Sequence, residues 1–203
     1  MTYELCNIGD YTEAQYGAMY RSAAPERQAR ANKFKHEDDR KRCLCADMLA
    51  RKMLAKAANV APEHISFTYG DKGKPRANLP LHFNVSHAGA YVLCAVANTP
   101  IGADIEQIKP FRAGMVARYF TAAEAAYIWG NNPPLDGNVT DADTCARFYR
   151  VWTAKEAYVK MTGTGISTDL GAVAFDPDAQ TVCGIKLITP IAPVGYVISI
   201  IKS

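Results

Sequence analysis

The sequence lacks the features that mark exported and membrane-spanning proteins. Its longest apolar stretches, such as YVLCAVA from Tyr91 to Ala97, are far shorter than the roughly 20 residues that a helix needs to cross a bilayer. The N-terminal segment MTYELCNIGDY has no basic region followed by an apolar run, so it does not predict an export signal. We therefore expect a cytoplasmic protein with no membrane partner.

Cysteine is present, but not in a pattern that predicts a metal site or a disulfide framework. The six cysteines are scattered, without a C-x-x-C pair, and no histidine lies at zinc-finger spacing. Cys43 and Cys45 fall on a strongly helical stretch, and Cys94 falls within an apolar strand. We interpret all six as reduced, mostly buried thiols, which argues against a zinc finger and against a disulfide-stabilised fold.

The chain also has little excess of positive over negative charge, and that excess lies in one segment. The net charge of the 203-residue chain is only +3. Between Arg21 and Lys56, however, eleven Lys or Arg stand against five Asp or Glu. Because the overall charge is low and no DNA-reading motif is present, we expect no nucleic-acid partner.

The basic segment predicts two helices. Pro25 suits the first turn of a helix, and the run HEDDRKR places acids ahead of bases, as the helix dipole favours. Most of these bases are expected on a solvated outer face. Arg27, Arg30 and Arg42 are nevertheless candidates for an anion-binding wall.

After the basic segment, the pattern becomes strand-like. Alternating apolar runs predict strands at ISFTY, HFNVSHA, AYVLCAVA and IGADIE, with the loop GDKGKP between the first two. A helical stretch PFRAGMVARYFTAAEAAYIWG, a loop NNPPLDGNVTDAD, a helix ending at Gly163 and the strands AVAFD, TVCGIKLI and GYVISIIKS follow. In both halves of the chain, predicted helices are followed by predicted strands. This order predicts an α+β fold of two similar halves, residues 1–101 and 102–203, with a cleft between them.

Three acidic side chains are candidates for a metal site. Asp104 and Glu106 lie two residues apart in IGADIE, and on a strand they point to the same face. Glu156, in the helical run WTAKEAYVK, could complete an oxygen-only site for a hard divalent cation. The alternatives are that the pair lies in solvent on an edge strand, and that Glu156 and Lys160 form an ordinary surface ion pair.

Three further candidates lie between the basic segment and the acids. Lys74 follows Gly73 in GDKGKP, and Ser86 and His87 are adjacent in FNVSH. A serine nucleophile is not favoured, because the two are neighbours and the sequence has no G-x-S-x-G elbow. Phosphate binding by the hydroxyl and the imidazole fits better, with a satisfied histidine beside a strand end as the alternative for His87.

The motifs GKP, FNVSH, GADIE and WTAKEAYVK occur in this order, and together they resemble those of the 4′-phosphopantetheinyl transferases of the surfactin-synthetase-activating (Sfp) type. The resemblance runs from about Pro25 to Gly165. It implies a monomer of two pseudosymmetric α+β halves, with coenzyme A bound in the cleft between them. It also implies a reaction in which 4′-phosphopantetheine moves from coenzyme A to a serine hydroxyl of an apo acyl or peptidyl carrier protein, releasing adenosine 3′,5′-bisphosphate.

The resemblance assigns roles to residues of the second half. Asp104, Glu106 and Glu156 match the family's metal ligands, with Mg²⁺ as the expected ion and Mn²⁺ as a possible substitute. Glu156, or a metal-bound water, would take the proton from the carrier serine. Lys160 matches the lysine beside the pyrophosphate. The carrier is expected to contact Phe111–Trp129, although core packing is the alternative for the side chains of that region.

The resemblance also assigns coenzyme A contacts in the first half. Ser86 and His87 match the pair that holds the 3′-phosphate, and Lys74 lies in the loop beside the adenosine. The basic positions around the phosphates are matched by Arg27, Arg30 and Arg42.

Two other functions fit parts of the same pattern. A metal-dependent pyrophosphatase acting on coenzyme A or a related nucleotide could use the same acids, with water as the nucleophile. A non-enzymatic carrier-binding module is the third reading, and it would be expected to have lost an acid or Lys160, whereas all of them are present.

Overall fold

The computed structural model describes residues 1–70, 73–130, 133, 136–165 and 169–203. The chain divides into two compact units, Met1–Pro100 and Ile101–Ser203. Each unit combines helices with antiparallel strands, so the predicted α+β class is confirmed. The loops predicted at GDKGKP and NNPPLDGNVTDAD lie partly outside the described residues.

The first unit packs a long helix on a three-stranded antiparallel sheet. Its strands are β1 (Thr2–Asn7), β2 (Phe67–Tyr69), β3 (Pro75–Ala77), β4 (His82–Ala88) and β5 (Tyr91–Ala97), and its helices are α1 (Glu13–Ser22), α2 (Pro25–Asn32) and α3 (Glu37–Ala58). β5 lies between β1 and β4, while β2 and β3 form a separate hairpin. Short 3-10 helices span Ile8–Asp10 and Pro62–His64.

The apolar stripe of α3 explains how this unit holds together. Leu44, Leu49 and Leu54 are buried in one cluster with Val92 and Val96 of β5. The helical spacing of the stripe places these side chains on one face, and burying that face supplies most of the stability of such a helix. The two predicted helices of the basic segment are confirmed as α2 and α3, whereas the sequence patterns did not reveal β1 or α1.

The second unit packs one long helix on a five-stranded antiparallel sheet. Its strands are β6 (Ile101–Gln107), β7 (Phe111–Arg112), β8 (Asn138–Val139), β9 (Phe175–Asp176), β10 (Thr181–Val182), β11 (Ile185–Ile188) and β12 (Tyr196–Lys202), and its helices are α4 (Gly114–Tyr119), α5 (Ala122–Trp129) and α6 (Ala142–Thr162). The sheet order is β6-β12-β11-β10-β9, and a short 3-10 helix spans Leu170–Ala172. α6 contacts β6 and β12 and ends, as predicted, at Gly163, whose φ is +71°.

Two predicted elements of this unit are wrong in detail. The helical stretch predicted from Pro110 to Gly130 is interrupted, because Phe111–Arg112 form β7 and Phe120 is extended. The capping box that the run TAAE predicts, with Thr121 as the cap and Glu124 three residues on, is confirmed at the start of α5. The strand predicted at TVCGIKLI is a hairpin, since Cys183 and Gly184 both have positive φ, which suits a two-residue turn.

Two further observations bear on the expected surroundings of the chain. Across the described ranges, no helix combines the length and the apolar content that crossing a membrane requires. All six cysteines are free thiols, and every one except Cys183 is buried.

Candidate active site

A glycine lets α6 approach β6 closely. A Cβ atom added to Gly102 would lie 1.9 Å from the carbonyl oxygen of Ala157 and 2.5 Å from the backbone nitrogen of Met161. These two atoms belong to one turn of the α6 backbone, and no side chain could occupy the space between it and the strand. The first residue of the G-x-D-x-E motif therefore sets the distance between strand and helix.

This contact brings the acidic strand motif to the helix motif. Side chains alternate along a strand, so Asp104 and Glu106 share the face of β6 on which Gly102 meets α6. Glu156 and Lys160 directly precede the two α6 residues that Gly102 meets. The Lys160 ammonium lies 2.5 Å from Oδ1 of Asp104, whose side chain is almost completely buried.

The three acids lie within electrostatic reach of one another. Burial, and then the nearby charge of Asp104, raises the pKa of Glu106 to about 7. The same two causes, in the same order, raise the pKa of Glu156. Carboxylates in low-dielectric surroundings repel each other in this way unless a cation offsets their charge. The structure thus brings the three acids that the D-x-E and W-x-x-K-E motifs contribute close enough to influence one another's ionisation.

Asp104, Glu106 and Glu156 offer the oxygen ligands that a hard divalent cation prefers, although their side chains do not surround a common point. Among the described residues, no three His, Cys, Asp or Glu side chains are arranged closely enough to hold a metal ion. Asp104 instead faces the Lys160 ammonium. Three carboxylates with oxygen donors, two of them with raised pKa values, match the chemistry that Mg²⁺ prefers.

A cavity of about 180 Å³ lies within the first unit. Phe83, Val85 and His87 line it from alternate positions on one face of β4. Arg27 and Arg30 of α2 bring two guanidinium groups to the same cavity. Aromatic and small residues form most of the remaining wall, among them Phe34, Phe67, Tyr69, Gly73 and Pro75, and Asp39 adds one carboxylate. The cavity therefore combines positive charge with aromatic surface.

Asp47 holds Arg27 at this cavity, a role that sequence reasoning missed. Oδ1 of Asp47 lies 3.2 Å from Nε of Arg27, and Oδ2 accepts a hydrogen bond of 2.7 Å from Arg51. Arg27 also donates to the hydroxyl of Tyr69 at 3.2 Å. The only sequence signal for Asp47 is a lone acid within the apolar stripe of α3.

The other predicted coenzyme A contacts are placed around the cavity rather than in its described lining. Arg42 donates to the carbonyl of Gly89 at 2.6 Å and to Oδ1 of Asp39 at 2.7 Å, which joins α3 to the turn after β4. Lys74 lies in the sequence between Gly73 and Pro75, which both line the cavity. Its side chain is half-buried, and burial lowers its pKa. Ser86 is buried and, as the neighbour of His87 on a strand, points to the opposite face of the sheet.

The region expected to contact the carrier is divided between core and surface. Phe111 and Phe120 are buried and stack or tilt against Phe148, so core packing is the correct reading for them. Met115 and Tyr119 are only partly buried against the same cluster. α4 therefore keeps part of its apolar surface accessible.

Comparison with known proteins identifies the family. One family model, described as the N-terminal part of 4′-phosphopantetheinyl transferase, matches residues 10–99, and another, described as the 4′-phosphopantetheinyl transferase superfamily, matches residues 100–200. A 4′-phosphopantetheinyl transferase of Bacillus subtilis is 36% identical over 181 residues, which cover 83% of this chain and 77% of the relative. The chain belongs to the 4′-phosphopantetheinyl transferase family.

Other relatives indicate the type within this family. The transferase Sfp of Bacillus subtilis strain 168 is 32% identical over 176 residues, covering 80% of this chain and 75% of Sfp. The transferase gsp of Aneurinibacillus migulanus is 31% identical over 162 residues, covering 79% of this chain and 65% of gsp. The resemblance to Sfp-type 4′-phosphopantetheinyl transferases is therefore confirmed, and the protein is an enzyme rather than a binding module.

Proposed function

We propose that this transferase moves 4′-phosphopantetheine from coenzyme A to a serine hydroxyl of an apo acyl or peptidyl carrier protein. Adenosine 3′,5′-bisphosphate is the second product, and the reaction depends on Mg²⁺, which Mn²⁺ can replace. One observation supports the proposal: Gly102 of β6 meets the α6 backbone at the residues that directly follow Glu156 and Lys160, and the Lys160 ammonium pairs with Asp104.

Asp104, Glu106 and Glu156 are the residues that would hold the metal ion. A bound Mg²⁺ would neutralise charge on the pyrophosphate of coenzyme A and stabilise the departing bisphosphate. The Lys160 ammonium, on the same face, offers a second positive charge to the pyrophosphate as negative charge shifts in the transition state.

The transfer replaces one phosphorus–oxygen bond by another. The serine oxygen bonds to the β-phosphorus of coenzyme A, and the bond from that phosphorus to the bridging oxygen breaks, so that this oxygen leaves with adenosine 3′,5′-bisphosphate. Glu156 takes the serine proton in this scheme. Its place beside Asp104 and Lys160 supports the assignment, because the base must lie next to the phosphates that these residues and the metal ion would hold.

The adenosine end of coenzyme A is assigned to the cavity of the first unit. Its aromatic rings offer stacking surface for a base, while Arg27, Arg30 and His87 offer donors to phosphate. Lys74 and Arg42 contribute from the surrounding loop and helix, and Ser86 contributes its backbone, because its side chain points to the other face of β4. In this scheme residues 1–101 supply coenzyme A contacts, and residues 102–203 supply the metal site and the carrier contacts.

We expect the protein to act as a cytoplasmic monomer without membrane or nucleic-acid partners. Free thiols are typical of a reducing compartment. The partly exposed side chains of Met115 and Tyr119 make α4 the proposed contact for the carrier. The local basic excess of the first unit would attract an acidic carrier and speed the encounter.

The direct test is to incubate the protein with an apo carrier, Mg²⁺ and coenzyme A, and to weigh the carrier by mass spectrometry. The proposal predicts that the carrier gains one phosphopantetheine group and that an equal amount of adenosine 3′,5′-bisphosphate appears. A parallel reaction without carrier tests the alternative of a pyrophosphatase, which would release the bisphosphate there too. A panel of acyl and peptidyl carriers without any mass gain would contradict the proposal.

Replacing His87 by alanine should weaken the binding of adenosine 3′,5′-bisphosphate about tenfold or more, because a hydrogen bond to a charged group is lost. Calorimetric titration with the bisphosphate measures the effect without any carrier or turnover. His82→Ala is the matched control, since His82 is an exposed histidine on the same strand whose side chain points to the other face. Equal affinities for the two variants would remove His87 from the proposed site.

A further inference from the structure

Lys155 and Glu124 form an ion pair in which both side chains are fully buried. The ammonium of Lys155 lies 2.5 Å from Oε2 of Glu124, and neither side chain has solvent exposure. Burying two charges is costly, and well-packed apolar residues are often at least as stable in such a position. The stability of the fold is therefore a weak reason for this pair.

The pair fixes the relative positions of several backbone segments. All three ammonium protons of Lys155 are used, since it also donates to the carbonyls of Tyr119 at 3.0 Å and Leu170 at 2.9 Å. Glu124 accepts from the backbone nitrogens of Thr121 at 2.8 Å and Phe175 at 2.7 Å. One ion pair thus joins α6 to the end of α4, the start of α5, a 3-10 helix and β9.

Two of these segments have proposed roles in the reaction. Lys155 immediately precedes Glu156 on α6, and Tyr119 is the last residue of α4, the proposed contact for the carrier. The directional hydrogen bonds from Lys155 to the carbonyls of Tyr119 and Leu170 restrict how α4 can be displaced relative to α6, in addition to the close packing of the apolar side chains around them.

We propose that the buried Lys155–Glu124 pair positions the carrier-binding helix α4 relative to Glu156, so that the docked serine reaches the base. The inference rests on the proposed function. Both residues are positioning residues, because neither contacts a substrate. They are expected to govern turnover with the carrier and to leave nucleotide binding in the first unit unchanged.

The test uses a variant that removes both charges together, Lys155→Met with Glu124→Gln. The double change avoids a lone buried charge, and the glutamine oxygen can still accept a backbone hydrogen bond. A second variant, Glu124→Asp, keeps the charge and shortens the side chain. Val151→Ala is the control, because it removes packing from a fully buried position one helical turn before Lys155 without removing either charge of the pair.

Four quantities are measured for each variant: the melting temperature, the affinity for adenosine 3′,5′-bisphosphate, and kcat and KM with an apo carrier. At a temperature where all are folded, we expect both pair variants to lose about tenfold or more in kcat, since a displacement near 1 Å can cost about 100-fold. Their bisphosphate affinity should equal that of the wild type, and Val151→Ala should keep its kcat within about twofold.

The outcomes separate the inference from the function on which it rests. Pair variants with the kcat of the Val151→Ala control would overturn the positioning role, even if their melting temperatures fall. If the double variant does not fold, Glu124→Asp decides by the same comparison. Wild-type protein that modifies no carrier would instead contradict the proposed function, and the inference with it.

Discussion

Replacing Glu156 by glutamine is expected to lower the rate of carrier modification by at least about 100-fold, the typical contribution of one general base. Glutamine keeps the size of the side chain and its packing on α6. It cannot take a proton from serine, and it brings no negative charge to a metal ion. The rate is measured by weighing the carrier at early times, with coenzyme A and Mg²⁺ in excess.

The same variant should not be destabilised, which separates a loss of chemistry from a loss of fold. Burial and the charge of Asp104 raise the pKa of Glu156, so its charged form is disfavoured in the folded protein. An uncharged amide relieves this repulsion, and without metal the melting temperature should be equal or higher. Asp143→Asn, at an exposed acid near the start of α6, is the control and should retain full activity. Glu156→Gln with a rate within about threefold of the wild type would contradict the assigned role.

Replacing Gly102 by alanine is the second change with a large expected effect. The added methyl group would lie 1.9 Å from the carbonyl oxygen of Ala157, so α6 must withdraw from β6 by more than 1 Å to reach the 3.0 Å below which Cβ contacts essentially never fall. Overpacking of this kind costs about 1–3 kcal/mol of unfolding free energy. Because Glu156 and Lys160 move with the helix, transfer should also fall about 100-fold.

Gly17→Ala provides the control, at a glycine that has no proposed role in binding or catalysis. A Cβ atom at Gly17 meets only the end of the Arg21 side chain, at 3.2 Å, and the residue lies within α1. Alanine there should leave the transfer rate near that of the wild type and the melting temperature equal or higher, because alanine is the better helix former. Thermal unfolding and carrier mass measure the two effects in parallel. A Gly102→Ala protein as stable and as active as this control would contradict the proposed role of the close contact.

Local sequence signals predicted the elements that carry the candidate site. The alternation in IGADIE predicted β6, and Gly163 marked the end of α6, because both signals act within a few residues. Adjacent motifs were also enough to place Asp104 and Glu106 on one strand face. The α+β class followed from the order of such elements along the chain.

Contacts between distant residues could not be predicted in the same way. β1 pairs with β5 across most of the first unit, and no local pattern reveals which strands will meet. Lys155 and Glu124 look like ordinary helix-surface charges in the sequence, since only tertiary packing buries both. Burial also explains why Phe120 belongs to the core, although its neighbours suggested a surface for the carrier.

The central claim is that Asp104, Glu106 and Glu156 together hold one cation at the diphosphate of coenzyme A. Anomalous diffraction from crystals grown with Mn²⁺ and coenzyme A tests it most directly. The account predicts one strong peak, with an oxygen of each of the three side chains and a pyrophosphate oxygen at coordination distances of about 2.0–2.3 Å. A peak bound without Glu156, or coenzyme A bound in full with no peak between β6 and α6, would contradict it.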